Sequence, residues 1–274
     1  MSEPILRLYP LPQETLPLEG AYLQLRLHEQ GAKENPLIYS NYIASLDGRI
    51  SVKDEETGEF VVPNSIANKR DWRLYQELAA QSDVLITSAR YFRQLAKGKA
   101  QDLLPVGRED AYADLLEFRR SEGLSDQPAV IILSRSLDIP LEALDRIKDR
   151  DAYVLTTMTA DEGKVAQLTQ RGVQCIRVDG SDVSGLAVKA TLTKLGFGSA
   201  YMIAGPEVHA TLLEAGVLDL LFLTTHHSLI GGENFHTIAS GKLIQSSGMR
   251  LCSLYYDGVS EAGQTFARYE ATSD

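Results

Sequence analysis

The sequence predicts an α/β fold with a largely parallel sheet and a set of antiparallel strands in its last quarter. Between residues 65 and 215, short apolar runs alternate with amphipathic patterns of about ten residues, which is typical of parallel strands joined by helices. After residue 218, three strand-like runs follow with no helical pattern between them, which indicates antiparallel pairing. The chain has 274 residues, of which 44% are apolar, so a sizeable core is expected.

Residues 1 to about 35 are predicted to form an N-terminal arm, and residues 36–274 to form one domain. The arm holds four of the ten prolines and a short helical pattern from Leu18 to Glu29. The run from Leu37 to Ser45 is rich in β-forming residues and ends at the turn Leu46-Asp47-Gly48. This pattern predicts the first strand of the domain.

The polar segment from Val52 to Asn64 is too long for a tight turn and predicts an active-site loop. Beyond it, windows with helical spacing alternate with short continuous apolar runs. The predicted helices cover 65–81, 90–97, 109–122, 141–148, 161–171, 184–195 and 206–215. The predicted strands cover 84–88, 129–134, 153–157, 173–178, 200–204, 218–225, 249–257 and 265–270.

The composition argues against several partners and sites. With 27 basic and 37 acidic residues, the net charge is -10, which argues against nucleic acid or an anionic membrane as the main partner. No apolar run is long enough for a membrane span or a secretory signal, so a cytoplasmic protein is expected. Cys175 and Cys252 lie far apart, which indicates neither a disulfide framework nor a zinc-thiolate site. Metal binding by His226 and His227 is not expected either, because neighbours on a strand point to opposite faces.

Four segments that suit a phosphate or a flat ring lie at the carboxyl ends of predicted strands, where open α/β sheets bind ligands. They are Asn41 to Gly48, Thr87 to Arg90, Leu133 to Ser136 and Ile203 to Glu207. Each segment alone is also explained as an ordinary turn or helix cap. Together they indicate a dinucleotide at this edge, although the G-x-G-x-x-G fingerprint and the P-loop are absent.

The residue types in these segments explain the prediction. Small Ala44 and Ser45 allow a ring to lie against the backbone, and Ser88 to Arg90 open a helix whose free N–H groups suit phosphate. Ser134 and Arg135 offer a hydroxyl and a guanidinium to a phosphate monoester. Gly205 permits close approach of a diphosphate to the following helix.

Four stretches resemble the pyrimidine reductases of riboflavin biosynthesis. They read S-N-Y-I-A-S-L-D-G-R at 40–49, D-V-L-I-T-S-A-R at 83–90, I-I-L-S-R-S-L-D at 131–138 and M-I-A-G-P-E-V-H-A-T-L-L-E-A-G-V-L-D at 202–219, with L-I-G-G at 229–232. The resemblance runs in order over about residues 36 to 270. It implies a three-layer dihydrofolate-reductase-like fold, NADPH as cofactor, a homodimer, and reduction of a phosphorylated ribosylaminopyrimidine, as in 5-amino-6-(5-phosphoribosylamino)uracil reductase.

The resemblance also implies residue roles. On the substrate side these are Asn41, Ser45 and Arg73, with Asp47 as the candidate for proton delivery to the substrate nitrogen. Ser134 and Arg135 resemble the family's grip on the 2′-phosphate, which would favour NADPH over NADH. The remaining cofactor residues implied are Ala44, Thr87, Ser88, Ala89, Arg90, Ala204, Gly205, Pro206, Glu207 and Val208.

The sequence also departs from the family pattern. The D-D-P-x-L segment after the second strand is replaced by Tyr91 to Gly98, and Ala204 stands where the family often has Glu. The residue pattern implied for cofactor binding is therefore retained better than the pattern implied for substrate binding. Three alternatives stay open: a reductase of another small heterocycle such as a pterin, a catalytically silent NADPH-binding protein, and a pure interaction protein.

Overall fold

A computed structural model of the chain describes residues 3–100, 106–239, 246–259 and 261–272. Its strands are β1 (Ile5–Tyr9), β2 (Glu14–Leu16), β3 (Leu37–Ser45), β4 (Ser51–Lys53), β5 (Phe60–Val61), β6 (Val84–Ser88), β7 (Ala129–Leu133), β8 (Ala152–Thr157), β9 (Gln174–Val178), β10 (Ser199–Met202), β11 (Leu220–His226), β12 (Phe235–His236), β13 (Met249–Asp257) and β14 (Gln264–Ala271). Its α-helices are α1 (Leu27–Gln30), α2 (Lys69–Ala80), α3 (Ala89–Ala96), α4 (Ala113–Ser121), α5 (Glu162–Gln170), α6 (Gly185–Leu195) and α7 (Pro206–Glu214). Short 3-10 helices cover Leu23–Leu25, Asp110–Tyr112 and Leu141–Ile147.

The chain forms two compact units. Unit 1 comprises Met1–Leu25, Ile38–Glu77 and Gly205–Asp274, and unit 2 comprises Arg26–Leu37 and Leu78–Ala204. The predicted boundary between an arm and a domain near residue 35 stays a prediction. What the structure adds is that the start of the chain forms β1, which pairs with β13 inside unit 1.

Unit 2 contains a parallel sheet with the strand order β10-β6-β7-β8-β9. The apolar residues of its central strands β6, β7 and β8 are buried as continuous runs, which is typical of parallel strands covered on both faces. Asp83 fixes β10 beside β6, because its Oδ2 accepts the N–H groups of Gly198 and Ser199 at 2.7 and 3.0 Å.

Unit 1 contains a mixed sheet with the strand order β2-β1-β13-β14-β11-β3. β3 and β11 are parallel, whereas β11, β14, β13, β1 and β2 pair antiparallel in turn. A separate small sheet joins β12, β4 and β5. Part of the core is aromatic, since the rings of Tyr22 and Tyr39 pack against Phe222 with centroids 4.9 and 6.3 Å apart.

The predicted α/β class is confirmed, including the antiparallel strands after residue 218. Three local predictions were wrong. The helix expected over Leu18–Glu29 is a 3-10 turn followed by the four-residue α1, because Arg26 between them adopts a left-handed conformation with φ 49°. The segment Val52–Asn64 contains the β4–β5 hairpin rather than a continuous loop. The helix expected over 141–148 is a 3-10 helix.

Candidate functional site

The end of β3 in unit 1 is fixed by the side chain of Asp47. Its carboxylate accepts hydrogen bonds from the Ser45 hydroxyl, from the Ile230 and Gly231 N–H groups at 3.3 and 2.8 Å, and from Arg49 at 2.6 Å. These bonds, led by the one from Ser45, lower the pKa of Asp47 to about 2. Asp47 is therefore an ionised anchor that ties the L-I-G-G segment at 229–232 to β3, and these contacts do not favour its predicted proton delivery.

The predicted residues on β3 lie on two faces of the unit 1 sheet. Asn41 and Ser45 lie on one face, and Ala44 lies on the other, because side chains alternate along a strand. The register places Ser45 beside His226 on β11, and His226 opposite Gln264 on β14. We call the face that carries these three residues the α2 face.

Contacts from the first turns of α2 cover this face. The Asn68 amide donates to Gln264 Oε1 at 2.8 Å, and the guanidinium of Arg70 donates to Asp257 Oδ2 at 2.7 Å. Asp257 lies opposite Gln264, whose amide also donates to Asp257 Oδ2 at 2.9 Å. The start of α2 is thus held on the sheet by a buried polar network.

Arg73, predicted to contact a substrate phosphate, is buried in an ion pair. Its Nε donates to Glu77 Oε1 at 2.8 Å one turn later in α2, and the side chains of both residues are almost fully buried. Glu77 also accepts the N–H groups of Gly20 and Tyr22. These contacts favour a structural role for Arg73, in which the pair holds residues 20–22 of the N-terminal segment.

Sequence reasoning missed Asp71, also in the first turn of α2. Its carboxyl accepts a hydrogen bond from Thr224 on β11, and burial raises its pKa to about 6. Its Oδ1 has no hydrogen-bond partner among the described residues. The only signal in the sequence was an Asp three residues after the helix-capping residue Asn68, a pattern that many helices share.

In unit 2, the end of β6 keeps unused hydrogen-bonding groups. The Thr87 hydroxyl is fully buried and has no hydrogen-bond partner among the described residues. Ser88 precedes α3 as its N-cap, yet its side chain makes no capping hydrogen bond. Ala89 and Arg90 form the first turn of this helix. This strand end therefore offers hydroxyl and N–H donors to an anion.

The end of β7 is a tight turn that its own side chains support. The Ser134 hydroxyl accepts the N–H of Leu137 at 3.0 Å, and Leu137 has φ 53°, a conformation that leucine rarely adopts. Arg135 is exposed and donates to Asp182 at 2.9 Å. An exposed pair of this kind is worth little, so it does not commit the Arg135 guanidinium to Asp182.

The A-G-P-E-V segment is divided between the units. In unit 2, the N–H of Ala204 points to the sulfur of Met202 at 3.1 Å. In unit 1, Gly205 is the N-cap of α7, Pro206 occupies its first turn, and a Cβ built at Gly205 would meet no atom within 4 Å. Exposed Glu207 adds a negative charge to this turn, and Val208 is buried. The start of α7 is therefore open to close approach by a ligand.

His226 and His227 were not predicted to bind a metal. His226, the last residue of β11, contacts the Ser228 hydroxyl through Nδ1 at 3.0 Å, and His227 stacks on Tyr256. Among the described residues, one group with the spacing of a metal site consists of His28, Glu29 and Glu122, and the guanidinium of Arg26 bridges its two carboxylates. Over the same residues, the structure has no helix long and apolar enough to cross a membrane.

Comparison with known proteins identifies the family. The family model described as the RibD C-terminal domain matches residues 36–260. The chain belongs to this family. A curated relative, the riboflavin biosynthesis protein RibD of Bacillus amyloliquefaciens, is 29% identical over 213 residues, which are 77% of this chain and 51% of the relative. The chain thus spans about half the length of that curated relative.

Solved structures support the fold. A pyrimidine reductase-like protein from Corynebacterium diphtheriae matches with a TM-score of 0.64 and 20% identity, over 88% of this chain and 94% of that one. The Saccharomyces riboflavin biosynthesis reductase Rib7 matches with a TM-score of 0.58 and 15% identity, over 92% and 99%. At these identities the likeness concerns the fold, and it confirms the architecture expected from the sequence resemblance.

Proposed function

We propose that the protein is an NADPH-dependent reductase that acts on a small phosphorylated substrate of the 5-amino-6-(5-phosphoribosylamino)uracil type. The observation that carries the proposal is the family match over residues 36–260, supported by the unused donors at the end of β6. We also propose that it works in the cytoplasm as a homodimer.

The residues fit a dinucleotide. Because the buried Thr87 hydroxyl has no partner among the described residues and Ser88 makes no side-chain cap for α3, we propose that the end of β6 donates to diphosphate oxygens. In unit 1, the open Gly205 at the start of α7 offers the same kind of contact. Ser134 and Arg135 would hold a 2′-phosphate, and Ala44 would lie near the nicotinamide.

When bound, the reduced nicotinamide supplies the hydride that the substrate carbon receives. The chain's contribution is to align the reactants and exclude water. Asp47, ionised and fully engaged, keeps the 229–232 segment in place beside β3. Asn41 and Ser45 stay proposed substrate contacts, whereas Arg73 acts through its pair with Glu77.

The test is a calorimetric titration of the purified protein with NADPH and NADH, repeated on Arg135→Ala. We expect NADPH to bind and Arg135→Ala to weaken NADPH about tenfold or more without changing NADH, because only NADPH carries the 2′-phosphate. Arg177→Ala is the matched control, since Arg177 of unit 2 also pairs with an exposed acid, Glu162. If the wild-type protein binds neither dinucleotide, the proposed function is wrong.

A further inference from the structure

The edge of unit 2 at the carboxyl ends of β7, β8 and β9 carries charged side chains of both signs. These three strands are parallel neighbours, so the segments that follow them lie along one edge of the sheet. Arg135 follows β7, Lys164 lies in the first turn of α5 after β8, and Asp182 follows β9. All three residues belong to unit 2.

Asp182 engages the guanidinium of Arg135 through one nitrogen. Nη1 of Arg135 donates to both carboxylate oxygens, at 2.9 and 3.1 Å, whereas two parallel bonds from two nitrogens would be the stronger arrangement. The two side chains are 67% and 68% exposed. Arg135 can therefore bind a second anion through its other N–H groups while Asp182 stays in contact with it.

An anion bound in this way would lie close to the carboxylate of Asp182. A phosphate monoester carries a charge of roughly −1.5 to −2 near pH 7. Separated from a carboxylate by about 6 Å of water, it is repelled by an amount equivalent to roughly five- to tenfold in affinity at low ionic strength. Asp182 therefore opposes a phosphate on Arg135 without blocking it.

Lys164 adds a positive charge beside the same turn. Its Nζ donates to the carbonyl of Ser136 at 3.0 Å, so the ammonium is held next to the residue that follows Arg135. Within the described ranges, Lys164 forms no ion pair with an acid. An ammonium has three donors, so two remain for a ligand. Lys164 therefore favours the anion that Asp182 opposes.

The other acids at the start of α5 are engaged elsewhere. Asp161 caps the helix, because its Oδ1 accepts the N–H of Lys164 at 2.9 Å. Glu162 pairs with Arg177 at 2.6 Å. Of the acids that the structure describes, Asp182 is the one that pairs with Arg135. The opposition to an anion on Arg135 is thus assigned to Asp182.

The two signs of charge have opposite effects on the two nicotinamide dinucleotides. A carboxylate accepts a hydrogen bond from the ribose 2′-hydroxyl of NAD, whereas a guanidinium accommodates the 2′-phosphate of NADP. This edge of unit 2 presents both kinds of group in direct contact with each other. Because specificity is a difference between two affinities, the preference of such a site depends on the balance between its cations and its acid.

We propose that Asp182 and Lys164 are specificity-determining residues of the dinucleotide site and act with opposite sign. Asp182 weakens the binding of a 2′-phosphate to Arg135, and Lys164 strengthens it. The proposal rests on the proposed function, in which Ser134 and Arg135 hold the 2′-phosphate of NADPH. It adds that the site also accepts NADH, because the carboxylate of Asp182 accepts a hydrogen bond from its 2′-hydroxyl.

The test is calorimetric titration with NADPH and NADH at about 20 mM salt, where charges are weakly screened. Asp182→Asn should strengthen NADPH binding roughly five- to tenfold and should not strengthen NADH binding. Lys164→Met should weaken NADPH binding about fivefold and leave NADH unchanged. Glu162→Gln is the matched control, because it makes the same change of charge at an exposed acid that pairs with Arg177. Its NADPH affinity should stay within about twofold of the wild type.

Two further measurements separate a local effect from a structural one. At about 500 mM salt the gain in Asp182→Asn should shrink, because the repulsion between exposed charges is screened. Adenosine 2′,5′-bisphosphate and AMP, which carry only the adenosine end, should repeat the changes seen with NADPH and NADH. A loss of both dinucleotides in Asp182→Asn would mean that Asp182 supports the fold of the site and would contradict the proposal.

The outcomes for the wild type distinguish this proposal from the proposed function. If the wild type binds NADPH and Asp182→Asn leaves the ratio of NADPH to NADH affinity unchanged, Asp182 does not determine specificity and the proposed function stands. An unchanged ratio in Lys164→Met would remove Lys164 in the same way. If the wild type binds neither dinucleotide, the proposed function is wrong and this inference is wrong with it.

Discussion

The strand ends of the two units differ in how their polar groups are satisfied. At the end of β3 in unit 1, Asp47 accepts hydrogen bonds from a hydroxyl, a guanidinium and two backbone N–H groups. At the end of β6 in unit 2, the buried Thr87 hydroxyl has no partner among the described residues, and Ser88 makes no capping bond. The carboxylate at the end of β3 is thus fully hydrogen-bonded, whereas the end of β6 has hydroxyl groups that bind no other described residue.

The difference distinguishes a strand end whose polar groups are paired from one that keeps hydrogen-bonding groups without a partner among the described residues. Buried polar groups are nearly always paired in folded proteins, so the Thr87 hydroxyl, unpaired among the described residues, supports the anion contact that we propose at the start of α3. A closed network such as that of Asp47 instead fixes a segment in one geometry. The comparison therefore indicates loop anchoring at the end of β3, and it agrees with the cofactor contacts that we propose at the end of β6.

The largest expected effect is on the free energy of unfolding. It tests whether buried carbonyl groups of unit 2, away from the strand ends, need their hydrogen-bond donors. Arg119 is fully buried and donates to the carbonyls of Ala79, Ala80, Ser82 and Ser125. Arg119→Met leaves these carbonyls without their donor, which should lower the free energy of unfolding by about 3 kcal/mol or more. Urea denaturation measures the change.

The control for this change is the neighbouring residue. Arg120 is exposed and pairs with exposed Asp126, so Arg120→Met should leave the urea midpoint unchanged. Equal, small losses in both variants would mean that unit 2 tolerates unsatisfied carbonyls. The Thr87 hydroxyl, which has no partner in the described part of the chain, would then not indicate a bound ligand.

The next effect concerns catalysis and the closed strand end. Asp47→Asn replaces an oxygen acceptor with an amide donor opposite Gly231 and Arg49, which should release the 229–232 segment. Misplacing a segment beside a reacting centre by about 1 Å can cost roughly 100-fold, and we expect a loss of that order in kcat/KM. Steady-state kinetics measures it.

The pH dependence separates this role of Asp47 from proton delivery. Its pKa is depressed from 3.8 to about 2, so its anchoring contribution is present above pH 4 and lost as pH falls through about 2. Kinetics between pH 4 and 9 should therefore show no break due to Asp47. A break in that range that disappears in Asp47→Asn would restore the residue as an acid.

The smallest effect concerns the strand end with unused donors. Val has nearly the shape of Thr, so Thr87→Val removes only a buried hydroxyl that has no partner within the described ranges. Stability should therefore hold or rise, while NADPH binding weakens about tenfold. Thr191→Val is the control, because the Thr191 hydroxyl donates to the Ala187 carbonyl within α6. That variant should lose some stability and keep its NADPH affinity. Unchanged NADPH affinity in Thr87→Val would remove Thr87 from the cofactor site.

Much of the fold follows from local patterns in the sequence. The strands Leu37–Ser45 and Val84–Ser88 were predicted with the bounds that the structure has, because each is a continuous β-forming run closed by a turn or helix signal. Weaker local signals failed. β1 is short and flanked by prolines, and it becomes a strand only because β13 and β2 supply its hydrogen bonds.

The candidate site residues also divide into those with a local sequence signal and those whose role depends on distant contacts. Sequence motifs drew attention to Asp47, Ser88 and Gly205, because turns and helix starts have local signatures. The Ile230 and Gly231 N–H groups that bind Asp47 come from a distant segment. The pairing of Arg73 with Glu77, and of Glu77 with Gly20, was not predictable from the sequence, and it favours a structural role for Arg73.

By itself, the sequence determined the α/β class, the parallel strands and the family likeness, because hydrophobic periodicity and turn chemistry act over a few residues. The tertiary structure alone decided that Asp47 is ionised and engaged while Asp71 is buried with a raised pKa. The physical reason is that the pKa of a carboxyl depends on desolvation and on the donors that reach it. For Asp71 the decisive cause is burial, which outweighs the hydrogen bond from Thr224, a residue that is far away in the sequence and adjacent in space.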